Sequence, residues 1–297
     1  MQVALLITTK NRKKDLSFTL GKIKHLVNNQ SLECIIHDDG SSDGTYEFVK
    51  ANYPTIIIKR NSFSKGLIYC RNEMLNSTKA EYAISLDDDA HFITKYPLET
   101  ICNYFESNPK CGLIALRIFW GLSTPVSLTS IELPERVQGF VGCGHVWRMS
   151  AWRSIPNYPA WFIFYGEENF ASYHLLKKEW QVHYLPELLV HHRVSLKSRK
   201  NNSDYTIRLR RSLRAGWFLY FLFDPISFIP KKMAYSLWIQ FKLKVFKGDF
   251  KALFAIILAL FDLVCSMPLI LKNRDSLSIN EYNDYQELKP TKIYWNP

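Results

Sequence analysis

Short apolar runs separated by longer amphipathic stretches organise the first hundred residues. Residues 3–7, 34–37, 55–58 and 82–86 are apolar or β-branched over most of their length, the pattern of strands covered on both faces. Helical spacing over 15–28, 45–52 and 67–78 lies between them. This alternation predicts an α/β fold with a mainly parallel central sheet, right-handed crossovers and a ligand crevice at the carboxyl ends of the strands. A helix over 97–107 and a strand over 113–118 continue it, and a loop over 120–138 interrupts it. Gly142-Cys143-Gly144 opens a second region with a helix running to about Lys178 and a strand over 182–185. Past Arg193 bases interleave with aromatics, and an apolar stretch over 252–271 follows, broken by Asp262 and Pro268. The expected division is an α/β domain over 1–200 and a mainly helical, membrane-associating region over 201–297.

Composition narrows the class. At 297 residues, 47% hydrophobic and 22% charged, the chain can bury a sizeable core and is neither disordered nor a small disulfide scaffold. Its net charge of +11 is segregated: residues 193–251 carry 14 Lys or Arg against 3 Asp or Glu, an excess equal to that of the whole chain. An anionic partner for that region follows, either a phospholipid surface or nucleic acid. The six cysteines form no C-x-x-C pair, which excludes the common zinc and thioredoxin-like motifs and leaves mostly core thiols. The N-terminus lacks the basic flank and cleavage pattern of a signal peptide, so the chain is expected to fold in the cytoplasm.

The polar motifs fall at predicted strand ends. Asp87-Asp88-Asp89 follows Leu86, and in extended backbone Asp87 and Asp89 share a side from which they can address one hard cation. A solvated acidic turn is the alternative. Asp38-Asp39-Gly40-Ser41-Ser42-Asp43-Gly44-Thr45 has the opening spacing of a calcium loop, but Lys50 stands where the bidentate Glu belongs. It is therefore either a turn capped by Asp43 or a strand-end carboxylate presented to a ligand. Gly66 opens a helix carrying Arg71, which is either a structural ion-pair partner or a ligand contact. Glu167 and Glu168 follow Gly166, where acids also simply stabilise a helix start. Trp147, Trp152 and Trp161 are core residues or sugar-stacking platforms.

In this order, Val3 to Arg12, the Asp38 to Thr45 block, Gly66 with Arg71-Asn72, Asp87-Asp88-Asp89 and Gly166-Glu167-Glu168 together resemble glycosyltransferase family 2 of the GT-A fold, over roughly residues 1–195. The resemblance implies that Thr8, Thr9 and Asn11 line a nucleotide pocket and that Asp39 contacts the base. It implies further that Gly66, Arg71 and Asp88 belong to the donor site. Asp87 and Asp89 would hold a divalent cation, Mn2+ or Mg2+, against the donor diphosphate. Related enzymes place a histidine near the metal at the position of His191-His192, assigned here to His191. Glu168 falls on the catalytic base, where the family's usual Glu-Asp pair is Glu167-Glu168. Thr8 stands where the family often has Pro.

The implied activity is an inverting, metal-dependent transfer from a nucleotide-diphosphate sugar, with a UDP-sugar the first candidate. The acceptor would be a saccharide or lipid-linked saccharide, in bacterial surface-polysaccharide synthesis at the inner face of the plasma membrane. Two other classes remain open: a nucleic-acid-binding protein acting through residues 193–251, and a noncatalytic membrane scaffold. The three carboxylates oppose a phosphate-backbone groove at that site, and no nucleic-acid partner is expected. For residues 252–271, length suffices to span a bilayer, Asp262 costs roughly 2.5–3.5 kcal/mol at a helix centre, and twelve Leu, Ile, Val and Phe residues offset it. With Pro268 expected to interrupt the helix, association with one anionic leaflet is the preferred expectation over spanning or burial in the core.

Overall fold

The computed structural model describes residues 2–194 and 204–297. Its first strand, β1 (Val3–Thr9), is followed by helices α1 (Lys13–Lys22) and α2 (Lys24–Val27), then β2 (Leu32–Asp38), α3 (Thr45–Asn52), β3 (Ile57–Arg60), α4 (Leu67–Ser77) and β4 (Tyr82–Asp87). Next come β5 (Ala90–Phe92), α5 (Pro97–Ser107), β6 (Cys111–Trp120), β7 (Glu135–Arg136), β8 (Gly144–Arg148), α6 (Met149–Arg153), α7 (Glu167–Lys177) and β9 (Gln181–His192). Four helices close the chain: α8 (Tyr205–Phe223), α9 (Ile229–Leu243), α10 (Phe250–Lys272) and α11 (Ile279–Glu287).

The strands form one mixed sheet in the order β3-β2-β1-β4-β8-β6-β9-β5, with β7 beside β9. β1 pairs in parallel with β2 and β4, and the register sets Thr9 beside Asp38 and Thr8 beside Asp87. Three strand ends are thereby brought side by side, as the parallel crevice rule requires. Successive residues of β1 face opposite sides, and each side has its own core. Ala4 and Leu6 join one apolar cluster, while Val3, Leu5 and Ile7 join the other.

Several elements differ from the sequence expectation. The single helix over 15–28 is two helices that change direction at Ile23. The strand over 182–185 extends from Gln181 to His192 because it is paired along its length with β6 and β5. β7 lies in the stretch expected to be loop, and β5 and β8 lie where the sequence pattern assigns no element; all three are short and antiparallel, held by neighbours distant in sequence. Pro268 lies inside α10 and does not end it. Proline removes one backbone donor and crowds the preceding turn, but buried Ile270 anchors the helix beyond it.

The expected boundary near residue 200 lies outside the described residues, and the helices beyond it share the core of the sheet domain. Leu213, Ala215, Trp217, Phe218 and Ile256 belong to the same cluster as Ala4, Ala83 and Trp147. Phe218 lies 5.4 Å from Trp161 and 5.5 Å from Phe162 between ring centres, and Phe223 stacks on Tyr173 at 4.8 Å. The C-terminal tail returns to the sheet: the Trp295 amide donates to Ile118 at 2.6 Å, and Lys292 pairs with Glu132 and Glu135 at 3.3 and 3.1 Å.

A chain ending at residue 200 would expose Phe162, Phe170 and Tyr173. It is expected to lose the cooperative thermal transition of the full chain and to aggregate, measured by circular dichroism and size-exclusion chromatography. A soluble, cooperatively unfolding truncation would show that the shared core is dispensable.

Candidate active site

At the ends of β1, β2 and β4 lies a cleft of about 430 Å³. Its floor is Thr8, Thr9, Asp39, Asp87 and Asp88; Ser64, Gly66 and Leu67 form one wall, and Ile163, Phe164 and Arg211 stand across from them. Thr8 Oγ1 is buried there with no hydrogen-bond partner among the described residues.

Asp39 is held by its own surroundings. Its carboxylate accepts from Asn61 at 2.8 Å, Ser64 at 2.6 Å, and the Lys65 and Gly66 amides at 2.7 and 3.0 Å. Burial alone would raise its pKa, but these four donors hold it below the ordinary carboxylate range. Asp39 therefore fixes the loop that forms the cleft wall. Asn11, expected in the pocket, instead has φ of 53° and accepts the Ser42 amide at 2.7 Å, so it stabilises the loop after β2 and is not among the residues lining the cleft.

The three consecutive aspartates, one ending β4 and two forming the turn before β5, separate in role. Asp88 turns inward, accepting from Thr9 Oγ1 at 2.8 Å and facing Arg12 at 3.3 Å. Burial drives its carboxyl up to about 8 against the pull of Arg12, which relieves repulsion among the three. Asp87 and Asp89 converge with His192, with one ligand atom from each within 4.8 Å of the others. His192 Nε2 is 3.0 Å from Asp89 and 3.9 Å from Asp87. Burial opposes ionisation of Asp89, yet His192 and Arg12 bring its pKa down to about 2. Two carboxylate oxygens and one imidazole nitrogen suit Mn2+ and, less well, Mg2+.

His191, expected at this position, faces away: its Nε2 is 2.8 Å from the Gly121 carbonyl and its ring packs on His91 and Phe119. Adjacent residues of a strand point to opposite faces, and the register that sets Ala90 opposite His192 selects the second histidine.

Arg71 also has a place different from the nucleotide contact expected. Its guanidinium is buried beneath the cleft, donating to Asp87 at 2.8 Å, Glu167 at 3.0 Å and the Gly142 carbonyl at 2.8 Å. It ties the floor of the cleft to the start of α7. Glu168, partly exposed, faces a second cavity of about 320 Å³ formed with Phe140, Val141 and two residues of the C-terminal tail, Thr291 and Ile293. Gly142 lies against it, and a Cβ there would come within 2.5 Å of Glu168 Oε1, so a larger residue would displace that carboxylate. Burial raises both glutamate pKa values, and Glu168 adds to the rise at Glu167 while Arg71 opposes both. A raised pKa makes a carboxylate a stronger base.

The sequence model of the family described as Glycosyl transferase family 2 matches residues 4–153, half of the chain. The chain belongs to glycosyl transferase family 2. Among curated proteins, no sequence matches it. Solved structures share the fold at low identity. GalNAc-T7 with UDP, GalNAc and Mn2+ has a TM-score of 0.58 at 15% identity, over 75% of this chain and 48% of that one. The mannosyltransferase PcManGT from Pyrobaculum calidifontis, with GDP-Man and Mn2+, has a TM-score of 0.58 at 14% identity, over 96% and 83%. S. aureus TarS 1–349 in complex with UDP has a TM-score of 0.53 at 14% identity, over 74% and 66%. The chain thus spans about half the length of GalNAc-T7 and about two thirds of TarS 1–349.

As a family 2 glycosyl transferase of GT-A fold, the chain has an aspartate pair at the end of β4 whose geometry is completed by His192 and Arg12. From sequence Arg12 has no role of its own, and His192 is the unchosen member of the His191-His192 pair. Strand period could have chosen His192 over His191 once β9 was known to reach β5. Nothing in the sequence linked Arg211 or the tail to the site.

Replacing His192 by Ala is expected to weaken Mn2+ binding by at least the ~10- to 100-fold that loss of even an outer-shell partner costs. His191→Ala is expected to leave Mn2+ affinity within a few-fold. Isothermal titration with Mn2+ checks both, and the reverse order would return the ligand to His191.

Proposed function

We propose that the protein is an inverting, metal-dependent glycosyltransferase that moves a sugar from a nucleotide-diphosphate donor to a saccharide or lipid-linked acceptor. The observation that carries this reading is the pairing of two cavities across one buried arginine, with Asp87 lining the first beside the Asp89 and His192 with which it converges, and Glu168 lining the second. A UDP-sugar is the first candidate donor, with GDP-sugars next; UDP accompanies the TarS and GalNAc-T7 structures and GDP-Man that of PcManGT.

Asp87, Asp89 and His192 would hold a divalent cation, which would supply Lewis-acid compensation for charge on the departing diphosphate. Thr8 and Thr9 border the donor, and the Asp39-braced loop forms the wall beside it. Glu168 takes the proton of the acceptor hydroxyl as that oxygen attacks the anomeric carbon. Attack from the side opposite the departing diphosphate inverts the configuration there. Arg71 sets the relation between the two carboxylate groups and holds Glu167 as a structural partner, which leaves Glu168 as the base. Glu168→Gln is expected to lower turnover by ~10²- to 10⁴-fold with donor affinity nearly unchanged, measured by transfer kinetics and nucleotide titration. Retention of most activity would move the base to another group.

The reading includes a membrane partner, in keeping with surface-polysaccharide synthesis on lipid-linked acceptors at the inner face of a bacterial plasma membrane. α10 is the one helix among the described residues that is long and apolar enough to cross a membrane. One side of it packs on α8 through Ala252, Ala255, Ala259 and Leu263, while Phe254, Ile257, Phe261 and Val264 are exposed. Asp262 is not a bare charge, since Arg210 binds it through two contacts of 2.7 and 2.6 Å. Trp238 and Phe246 extend the apolar surface, with exposed Lys242, Lys247 and Lys251 beside it. This mixture supports insertion into one anionic leaflet. Phe254→Glu combined with Phe261→Glu is expected to abolish sedimentation with phosphatidylglycerol vesicles while leaving the melting temperature within a few degrees. Undiminished sedimentation would place the membrane surface elsewhere.

A further inference from the structure

The arginines of α8 separate into three that are spent and one that is not. Arg208 pairs with Asp204 at 2.5 Å, Arg210 with Asp262, and Arg214 binds the Phe162 carbonyl while lying 3.8 Å from Asp262. Arg211 has no hydrogen-bond or ion-pair partner among the described residues, yet it lines the donor cleft together with Thr8, Asp39 and Asp87. A cation directed into a cleft without a counter-charge of its own points to an anion that the cleft receives.

The backbone around Arg211 is fixed. One turn further along α8, Ala215 packs against Gly166, where a Cβ would come within 3.1 Å of the Ala215 methyl and where φ is +87°. Arg214 clasps the Phe162 carbonyl, joining α8 to the segment whose Ile163 and Phe164 also line the cleft. One turn before Arg214, Arg210 anchors the same face of the helix on Asp262 of α10. Arg211 is thus carried on a helix secured to two neighbouring segments, a preorganised placement rather than a loose surface charge.

The carboxylates of the cleft are already committed, and exposed Lys10 is the other cation there with no partner among the described residues. Asp39 is saturated by its loop, Asp88 by Thr9 and Arg12, and Asp87 by Arg71 on the side away from the cation cluster. The diphosphate of a nucleotide-sugar carries two negative charges and gains a third as its bond to the sugar breaks, more than one divalent cation already shared with Asp87 and Asp89 would offset. We propose that Arg211 is a donor-binding residue that contacts the diphosphate of the nucleotide-sugar, so that the C-terminal helical region completes the donor site. This inference rests on the proposed donor class and adds to it the residue that closes the site from outside the sheet domain.

The test compares Arg211→Gln and Arg211→Lys with the full-length wild type, titrating UDP, GDP, UMP and GMP in Mn2+ by calorimetry. The wild type is expected to prefer a diphosphate to its monophosphate. Arg211→Gln should weaken the preferred diphosphate by roughly 10- to 100-fold, lower the diphosphate-to-monophosphate ratio accordingly and leave the melting temperature unchanged. Arg211→Lys should recover part of the loss. An unchanged ratio in Arg211→Gln would overturn the inference and leave the proposed function standing, whereas a wild type that binds none of the four nucleotides would overturn both. Loss of phosphatidylglycerol vesicle binding with the ratio intact would reassign Arg211 to lipid phosphate and equally overturn it.

Discussion

The buried guanidinium of Arg71 holds the two halves of the site in a fixed relation. It donates to Asp87 at the cation cluster, to Glu167 at the start of α7 and to the Gly142 carbonyl between them. Each partner comes from a different part of the chain, and none of the three contacts is local in sequence. Removing one member of a buried charge network of this kind typically costs about 3–5 kcal/mol, because the remaining charges stay buried without compensation. The same network places Glu168 without consuming it: Glu167 takes the arginine, and the next residue of the helix is left facing the second cavity.

The C-terminal third is built into this arrangement. α8 presents Arg211 to the cleft on one side and packs on α10 on the other, while the tail supplies Thr291 and Ile293 beside Glu168. A second connection runs from the cation cluster to the tail, where Trp120 packs edge-on against His192 and stacks on Tyr294 at 5.9 Å. The apolar face of α10 and the two cavities are therefore parts of one packed body. Docking that face on a membrane would fix the height and direction of the cavities relative to the lipid surface, which suits an acceptor presented on a lipid.

Much of this was legible in the sequence because it rests on short-range pattern. The continuous apolar runs of β1, β2 and β4 marked a buried parallel sheet, and the rule that ligands bind at parallel strand ends put Thr8, Asp39 and Asp87 together before any coordinates. The motifs at those ends also carried the family, which the match over residues 4–153 shows. What sequence left unread depends on tertiary contact. Choosing His192 over His191 needs the register of β9 with β5, the burial of Arg71 needs the loop at Gly142, and the continuation of α10 past Pro268 needs the packing of Ile270. The charge of residues 193–251 reads as one basic region for an anionic partner, whereas the carboxylate of Asp262, about fifty residues past Arg210 and Arg214, takes up both of those arginines.

The central claim is that Asp87, Asp89 and His192 hold one divalent cation against the diphosphate of the donor. Pulsed electron paramagnetic resonance of Mn2+ bound to the full-length protein tests it most directly, with nitrogen and phosphorus couplings read before and after addition of UDP. The account predicts coupling to a single imidazole nitrogen that disappears in His192→Ala, and phosphorus coupling that arises on adding the nucleotide. A spectrum of fully hydrated Mn2+ with neither coupling, or nitrogen coupling that survives His192→Ala, would contradict it.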